Sequence, residues 1–239
     1  MLKAAVRFVV RPMAIRDIPQ VMEIEREAFP TMWPRTAFQR EIEQNHLARY
    51  LVATRVKERE EEEGDVRLPP EFAGLQPGEH RGESKGLAGL IDGLRQMVGS
   101  EESLGGDLPD PGEREELVVG FVGNWLMVGE SHIVSIAVRE DYRGQGIGEL
   151  LIIAAVSIAM ENSLSKVSLE CRISNYVALS LYEKYRFKQV GVRSRYYSDN
   201  HEDAYIMLVD GVDSDEYRQF FQQLQDDHRR GSGSYEIHL

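Results

Sequence analysis

The chain has 239 residues, 42% of them hydrophobic, and 40 acidic against 28 basic side chains give a net charge of −12. That length allows one domain of ordinary size with appendages, and the acidity excludes nucleic-acid binding through a basic face. No apolar run nears the roughly 18 residues of a membrane span, the start is too soon charged for a signal peptide, and the lone Cys171 forms no internal disulfide, so a cytoplasmic protein is expected, without membrane contact and, lacking zinc-ligand spacing, without a metal.

Val6 to Arg11 reads as a first strand. Asp17 with Gln20 three residues on makes a capping pattern for a helix whose apolar side carries Ile18, Val21, Met22, Ile24 and Ala28. A second helix starts near Pro34 and shows Phe38 and Ile42, and Arg49 to Val56 forms a strand. Between Arg55 and Leu117 there are 17 Asp and Glu against 8 Lys and Arg, so this segment carries −9 and the rest of the chain −3. Its Gly, Pro and Glu content marks 57–116 as an acidic, partly disordered insertion interrupting a domain that spans 1–210. Within it Leu87, Leu90, Ile91, Leu94, Met97 and Val98 keep helical spacing, as a short surface helix or a lid over a groove.

Val118 to Val128 and Ser131 to Val138 then read as a hairpin turning at Gly129-Glu130. A long apolar helix follows, then a strand over Lys166 to Cys171, a helix over Tyr176 to Tyr185, and strands over Lys188 to Arg195 and Ala204 to Val209. Such an order predicts an α/β fold, a mixed central sheet with helices on both faces and a long acidic insertion between two of its strands. Residues 211–239 are expected as a C-terminal helix showing Tyr217, Phe220, Phe221 and Leu224, with Arg229 to Leu239 a loose tail.

The most informative stretch runs from Val134 to Met160. Arg143, Gly146 and Gly148 follow the order Arg-x-x-Gly-x-Gly between a strand and a helix. Side-chain-free residues let the backbone approach a ligand, and the unpaired N–H groups of the helix's first turn suit a pyrophosphate. Taken alone, glycines before a helix are more often simple turn residues. A nucleoside-triphosphate loop is excluded by the missing Gly-x-x-x-x-Gly-Lys, and a dinucleotide fingerprint by the spacing of Gly144, Gly146 and Gly148. The order resembles the acetyl-CoA loop of the GNAT acetyltransferase superfamily. That resemblance implies acetyl-CoA held by Arg143, Gly144, Gln145, Gly146, Ile147 and Gly148 and flanked by Ile136, Ala137 and Val138.

Two residues suit the chemistry of acetyl transfer. In Lys166-Val-Ser-Leu-Glu-Cys171, Val167, Leu169 and Cys171 share one face and Ser168 and Glu170 the other, where a carboxylate at a strand's end can face a cleft or simply be exposed. Tyr182 lies on the next helix with Ala178, Leu181 and Tyr185, as a reactive phenol or a core residue. An N-terminal ammonium, with a pKa near 7.7–8.0, must lose a proton before it attacks a thioester, and Glu170 can take it; a thiolate leaves more easily once protonated, and Tyr182 can do that. A backbone N–H on Ser135 to Val138 is the candidate donor to the developing oxyanion.

Further motifs narrow the likeness. Glu170-Cys-Arg-Ile-Ser-Asn175, Leu181-Tyr-Glu-Lys184, Arg195-Tyr-Tyr197, His201-Glu-Asp-Ala204 and Phe29-Pro-Thr-Met-Trp33 together resemble the bacterial ribosomal-protein-alanine N-acetyltransferases. The likeness covers about residues 6–55 and 117–210. It implies an α-amine acetyltransferase whose partner is a protein or peptide amino terminus, that of a ribosomal protein. Glu170 is then the base, Tyr182 the acid, and Asn175 the contact to the pantetheine arm, while Trp33, Tyr196 and Tyr197 meet the peptide. Lysine or small-amine acetylation, or a non-catalytic CoA-binding scaffold, are the alternatives. Two departures stand out: the insertion, and Arg186 where the family's usual glycine takes a left-handed turn, at a cost of about 1 kcal/mol if that conformation is kept.

Overall fold

The structure is a computed structural model describing residues 7–29, 34–56, 116–233 and 235–239. Trp33 and the expected helix over Leu87 to Val98 lie outside the described residues. Among the described residues, β1 (Arg7–Pro12), β2 (Ala48–Val56), β3 (Glu116–Met127), β4 (Glu130–Val138), β5 (Lys166–Arg172), β6 (Lys188–Arg193), β7 (Ala204–Asp210) and β8 (Tyr235–Ile237) form one mixed sheet. Their order is β6-β7-β5-β4-β3-β2-β1-β8. On one face α1 (Ile18–Ala28) and α2 (Arg35–Glu43) bury Ile18, Val21, Ile24 and Phe38 against Tyr50, Val52 and Phe121. On the other lies α3 (Ile147–Glu161), whose Leu150 to Val156 are buried all round, together with α4 (Tyr176–Lys184) and α5 (Asp215–Ser232). With both faces covered, β3 is buried from Val118 to Asn124 and so reads as a continuous apolar run rather than an alternating one.

Two features of the sheet make a cleft. β4 and β5 pair in parallel only from Glu130–Lys166 to Ile133–Leu169, beyond which the strands separate. At the same level β3 pairs Gly123 with Ser135 but Asn124 with Ile133, leaving Val134 as an extra residue in β4. A bulge of this kind bends its strand and re-aims the residues that follow.

Three local expectations are corrected or sharpened. Asp17 and Gln20 do not form a cap: the Asp17 carboxylate takes the Arg11 guanidinium at 2.7 and 2.9 Å and the Ala14 N–H at 2.8 Å. Gln20 instead accepts from Val118 N at 2.9 Å, tying α1 to β3. These partners occupy both carboxylate oxygens, which leaves neither turned to the first-turn amides of α1. The loose tail is also overturned. Ser214 caps α5, the helix runs to Ser232, and β8 pairs in parallel with β1, Phe8 opposite Tyr235. Its anchors are Tyr217 and Phe221, buried in the core, and a buried His228. Arg186 keeps the left-handed turn, at φ 63°. The guanidinium lies 3.9 Å over the Phe220 ring and bridges to Glu216 at 3.0 Å, which offsets the backbone cost.

Candidate active site

Where β4 and β5 part, a cleft of about 450 Å³ opens, lined by Val134 to Ile136, Leu169 to Arg172 and Tyr182, with Tyr196 and Tyr197 at its lip. Because side chains alternate along a strand, Leu169 and Cys171 join the α3 core while Ser168 and Glu170 take the α1 face. Glu170 is not the exposed glutamate its position also allowed. Its side chain is 7% exposed and meets His132 Nε2 at 3.2 Å and the Arg193 guanidinium at 2.9 Å. The hydrogen bond from His132, helped by the charges of His132 and Arg193, holds Glu170 below the ordinary carboxylate range although burial pulls the other way.

Tyr182 reaches the cleft from the opposite side, on α4. It is 5% exposed and tilted against Phe187 at 5.8 Å between ring centroids. Burial pushes its phenol well up from the ordinary value, with Cys171 and Tyr197 adding to the effect, and the Cys171 thiol is raised to about 11 by the same burial. Both are neutral at pH 7. Asn175 also lines the cleft, where its side-chain oxygen caps α4 by accepting from Ala178 N at 3.2 Å. At the lip, Tyr196 and Tyr197 meet edge to face at 5.2 Å. The Arg172 guanidinium stacks 3.8 Å over Tyr197, held by Asp199 at 2.8 Å and Glu202 at 3.2 Å.

The glycine turn sits at the other end of β4. Gly144 and Gly146 have φ of 74° and 82°, conformations that suit glycine, and Gly146 is the residue from which α3 starts. Arg143 and Gln145 are exposed; Arg143 Nε donates to Val138 O at 3.2 Å and Gln145 to Asp141 O at 3.1 Å. Ile147 and Ala137 are buried, so they present only backbone, while Ile136 lines the cleft and Val138 packs beside Gly148. α3's first-turn N–H groups therefore face outward beside Gly144 and Gly146, an arrangement that accepts an anion. Against this turn lies the C-terminal helix, His228 Nε2 donating to Gly146 O at 2.9 Å. A second cavity of about 620 Å³ runs between the turn, Phe8, Arg55 and Ser232.

Several residues in or behind the cleft escaped the sequence reading. Glu25, buried at 3% exposure, lines it from α1, and its place four residues after Val21 was a legible sign that it shares the apolar face. His132 and Arg193 had no such sign, since each acts through a partner on another strand.

Comparisons with known proteins bear on the family and the fold. The profile of the acetyltransferase (GNAT) family matches residues 100–187. A putative ribosomal protein bS18-alanine N-acetyltransferase of Bacillus subtilis is 28% identical over 200 residues, 84% of this chain and 93% of that one. An N-alpha-acetyltransferase of Saccharolobus solfataricus is 46% identical over 82 residues, 34% of this chain and 48% of its own length. Among solved structures, the ribosomal-protein-S18-alanine N-acetyltransferase of Escherichia coli superposes with a TM-score of 0.55 at 19% identity, covering 85% of this chain and 94% of that one.

Proposed function

We propose that the chain is a GNAT-family acetyltransferase that moves an acetyl group from acetyl-CoA to the α-amine of a protein's first residue, an alanine, in a ribosomal protein. The observation that carries the reading is the cleft itself, with a buried carboxylate on one wall and a buried neutral phenol on the other. Similarity to the Bacillus subtilis and Saccharolobus solfataricus enzymes supports the α-amine, and the former supports alanine and a ribosomal target.

Acetyl-CoA fits the site. The anion-accepting turn at Gly144–Gly148 suits its pyrophosphate, with Arg143 and Gln145 at the rim, and β4 leads from there past Val138 and Ile136 to Tyr182, along the line a pantetheine arm would follow with Asn175 beside it. The α-ammonium enters from the α1 face, past Tyr196 and Tyr197 toward Glu25 and Glu170. Two protons leave the nitrogen during transfer. Glu170 receives one, directly or through water, before the C–N bond forms. As the C–S bond breaks, Tyr182 protonates the sulfur and regains its proton from the second, so that one proton per turnover reaches solvent. Backbone N–H groups beyond the Val134 bulge, no longer paired to β5, are the donors for the oxyanion.

The test offers acetyl-CoA with an Ala-starting peptide, an internal-lysine peptide and a polyamine, and reads each product by mass spectrometry. Acetylation of the Ala peptide on its α-amine at the highest kcat/KM is expected. Preference for lysine or polyamine would overturn the substrate assignment, and no product from any of the three would overturn the reading as an enzyme.

A further inference from the structure

The glycine turn is backed by a residue that the chemistry of the cleft does not use. His228 is buried near the end of α5, and because a carbonyl only accepts, its Nε2 is the donor to Gly146 O at 2.9 Å. The same oxygen accepts the first bond of α3, from Leu150 N at 3.0 Å. Both bonds draw that oxygen into the fold. A trans peptide is planar, with its C=O and N–H pointing opposite ways, so holding Gly146 O inward turns the Ile147 N–H outward, to the place where the turn accepts an anion.

Packing alone does not ask for a histidine here. Nδ1 is buried with no hydrogen-bond partner among the described residues, a cost that a leucine or phenylalanine in its place would not carry. The ring is held from both ends of α5. The Tyr235 ring meets it edge to face at 5.0 Å between centroids, and β8, which carries Tyr235, is paired to β1, with His238 N donating to Val10 O at 2.8 Å. Toward the start of the helix, Tyr217 Oη donates to Tyr185 O at 2.9 Å, and the buried Phe221 stacks on Tyr217. A shift of α5 along α3 would break both sets of contacts, so the donor stays behind the turn.

We propose that His228 is a positioning residue for acetyl-CoA, fixing the Gly146–Ile147 peptide so that its N–H meets the pyrophosphate. This rests on the reading that the glycine turn holds that group. His228 acts through the Gly146 carbonyl, and donation to that oxygen also polarises the peptide, which makes its N–H a stronger donor. The family profile matches residues 100–187, so this brace comes from outside the matched region, in the C-terminal arm.

The experiment uses the full chain, an Ala-starting peptide and two acetyl donors, acetyl-CoA and acetyl-pantetheine, which carries the same thioester without the pyrophosphate. In His228→Leu, close in volume but unable to donate, KM and Kd for acetyl-CoA are expected to rise about 10-fold, with kcat at saturation within about 2-fold of the wild type. kcat/KM with acetyl-pantetheine should match the wild type, a result that general loosening of the site would not give. His228→Gln, whose amide nitrogen can reach Gly146 O, should return the acetyl-CoA KM to within about 3-fold of the wild type. An acetyl-CoA KM unmoved in His228→Leu, equal losses with both donors, or a Gln variant as poor as the Leu variant would overturn the inference. The wild type separates the two claims. If it gains nothing from acetyl-CoA over acetyl-pantetheine, the turn does not hold the pyrophosphate, whereas a wild-type advantage kept in full by His228→Leu removes only His228. Should His228→Leu not fold, NMR of the wild type decides: the His228 Nε2–H and Ile147 N–H resonances are expected to shift together when CoA is added and to stay in place with pantetheine. An unmoved His228 resonance on adding CoA overturns the proposal.

Discussion

The two walls of the cleft treat a proton in opposite ways. Glu170 sits among polar partners, with His132 and Arg193 favouring its charge, while Tyr182, twelve residues later, sits among Phe187, Cys171 and other apolar neighbours that favour neutrality. Strand alternation puts Glu170 on the α1 face, and the following helix brings Tyr182 to the core face, so one short stretch supplies two environments. Pushing two titratable groups apart in this way is how a single site holds an acceptor and a donor at the same pH.

The strongest way to break the comparison is to neutralise each wall. Glu170→Gln and Tyr182→Phe are each expected to lower kcat by about 10²- to 10⁴-fold, with acetyl-CoA affinity retained. Raising the pH then sharpens it. A larger share of the amine is neutral at high pH, so Glu170→Gln should recover part of its rate, whereas Tyr182→Phe has no donor to recover. Equal rescue of both would mean that the walls do not divide the work.

Of intermediate size is the effect at the glycine turn, which belongs to neither wall. In Gly146→Ala the new Cβ would press on Ser232 and come within 3.0 Å of His228 Nε2, at a backbone φ of 82°. A stability loss of about 1–2 kcal/mol is expected, with weaker acetyl-CoA binding in calorimetry. Unchanged thermal unfolding and affinity would mean that the C-terminal helix does not hold the turn.

Stability against pH offers a smaller contrast. Glu170 is depressed in the folded chain, so its contribution is present above the unfolded carboxylate value, about 4.3, and is lost as pH falls through the lower folded value. Tyr182 is raised, so its contribution is present below about 10 and is lost as pH climbs above that. Thermal unfolding of Glu170→Gln should therefore lose part of its acid dependence, and that of Tyr182→Phe part of its alkaline dependence. Interchanged effects would contradict the surroundings assigned to the two walls.

What could be read from the sequence follows the range of the interactions. Strand alternation placed Glu170 opposite Leu169 and Cys171, because that is decided within a few residues. Gln20 was misread because its partner, Val118, is far along the chain, and nothing local distinguishes that bond from a cap. The tail was misread for a similar reason: Arg229 to Leu239 is polar and carries Gly231 and Gly233, yet the helix and β8 are stabilised by docking against the glycine turn and the β1 edge. His132 was legible as a strand residue, but its role depends on Ser168 and Glu170 across the sheet.

The smallest expected effect concerns the acidic segment, and it tests whether the two walls are self-sufficient. Val56 and Glu116, at either end of residues 57–115, are Cα partners in the β2–β3 ladder. Residues 58–113 can therefore be replaced by a short Gly-Ser linker without moving either strand, and closing a shorter loop changes stability by no more than about 2 kcal/mol. Every described residue of the cleft lies outside the segment, so kcat on a short Ala-starting peptide is expected to stay as it is. The segment's charge suggests another use. From Arg55 to Leu117 the chain carries −9, enough to draw a basic protein substrate and raise its association rate. Deletion should accordingly raise KM for a whole basic ribosomal protein at low salt, and the difference should shrink toward about 0.5 M salt, where screening acts within several ångströms. Loss of peptide turnover in a deletion variant that still folds and binds acetyl-CoA would mean that the cleft is incomplete without the segment, and would favour the lid over the solvated insertion.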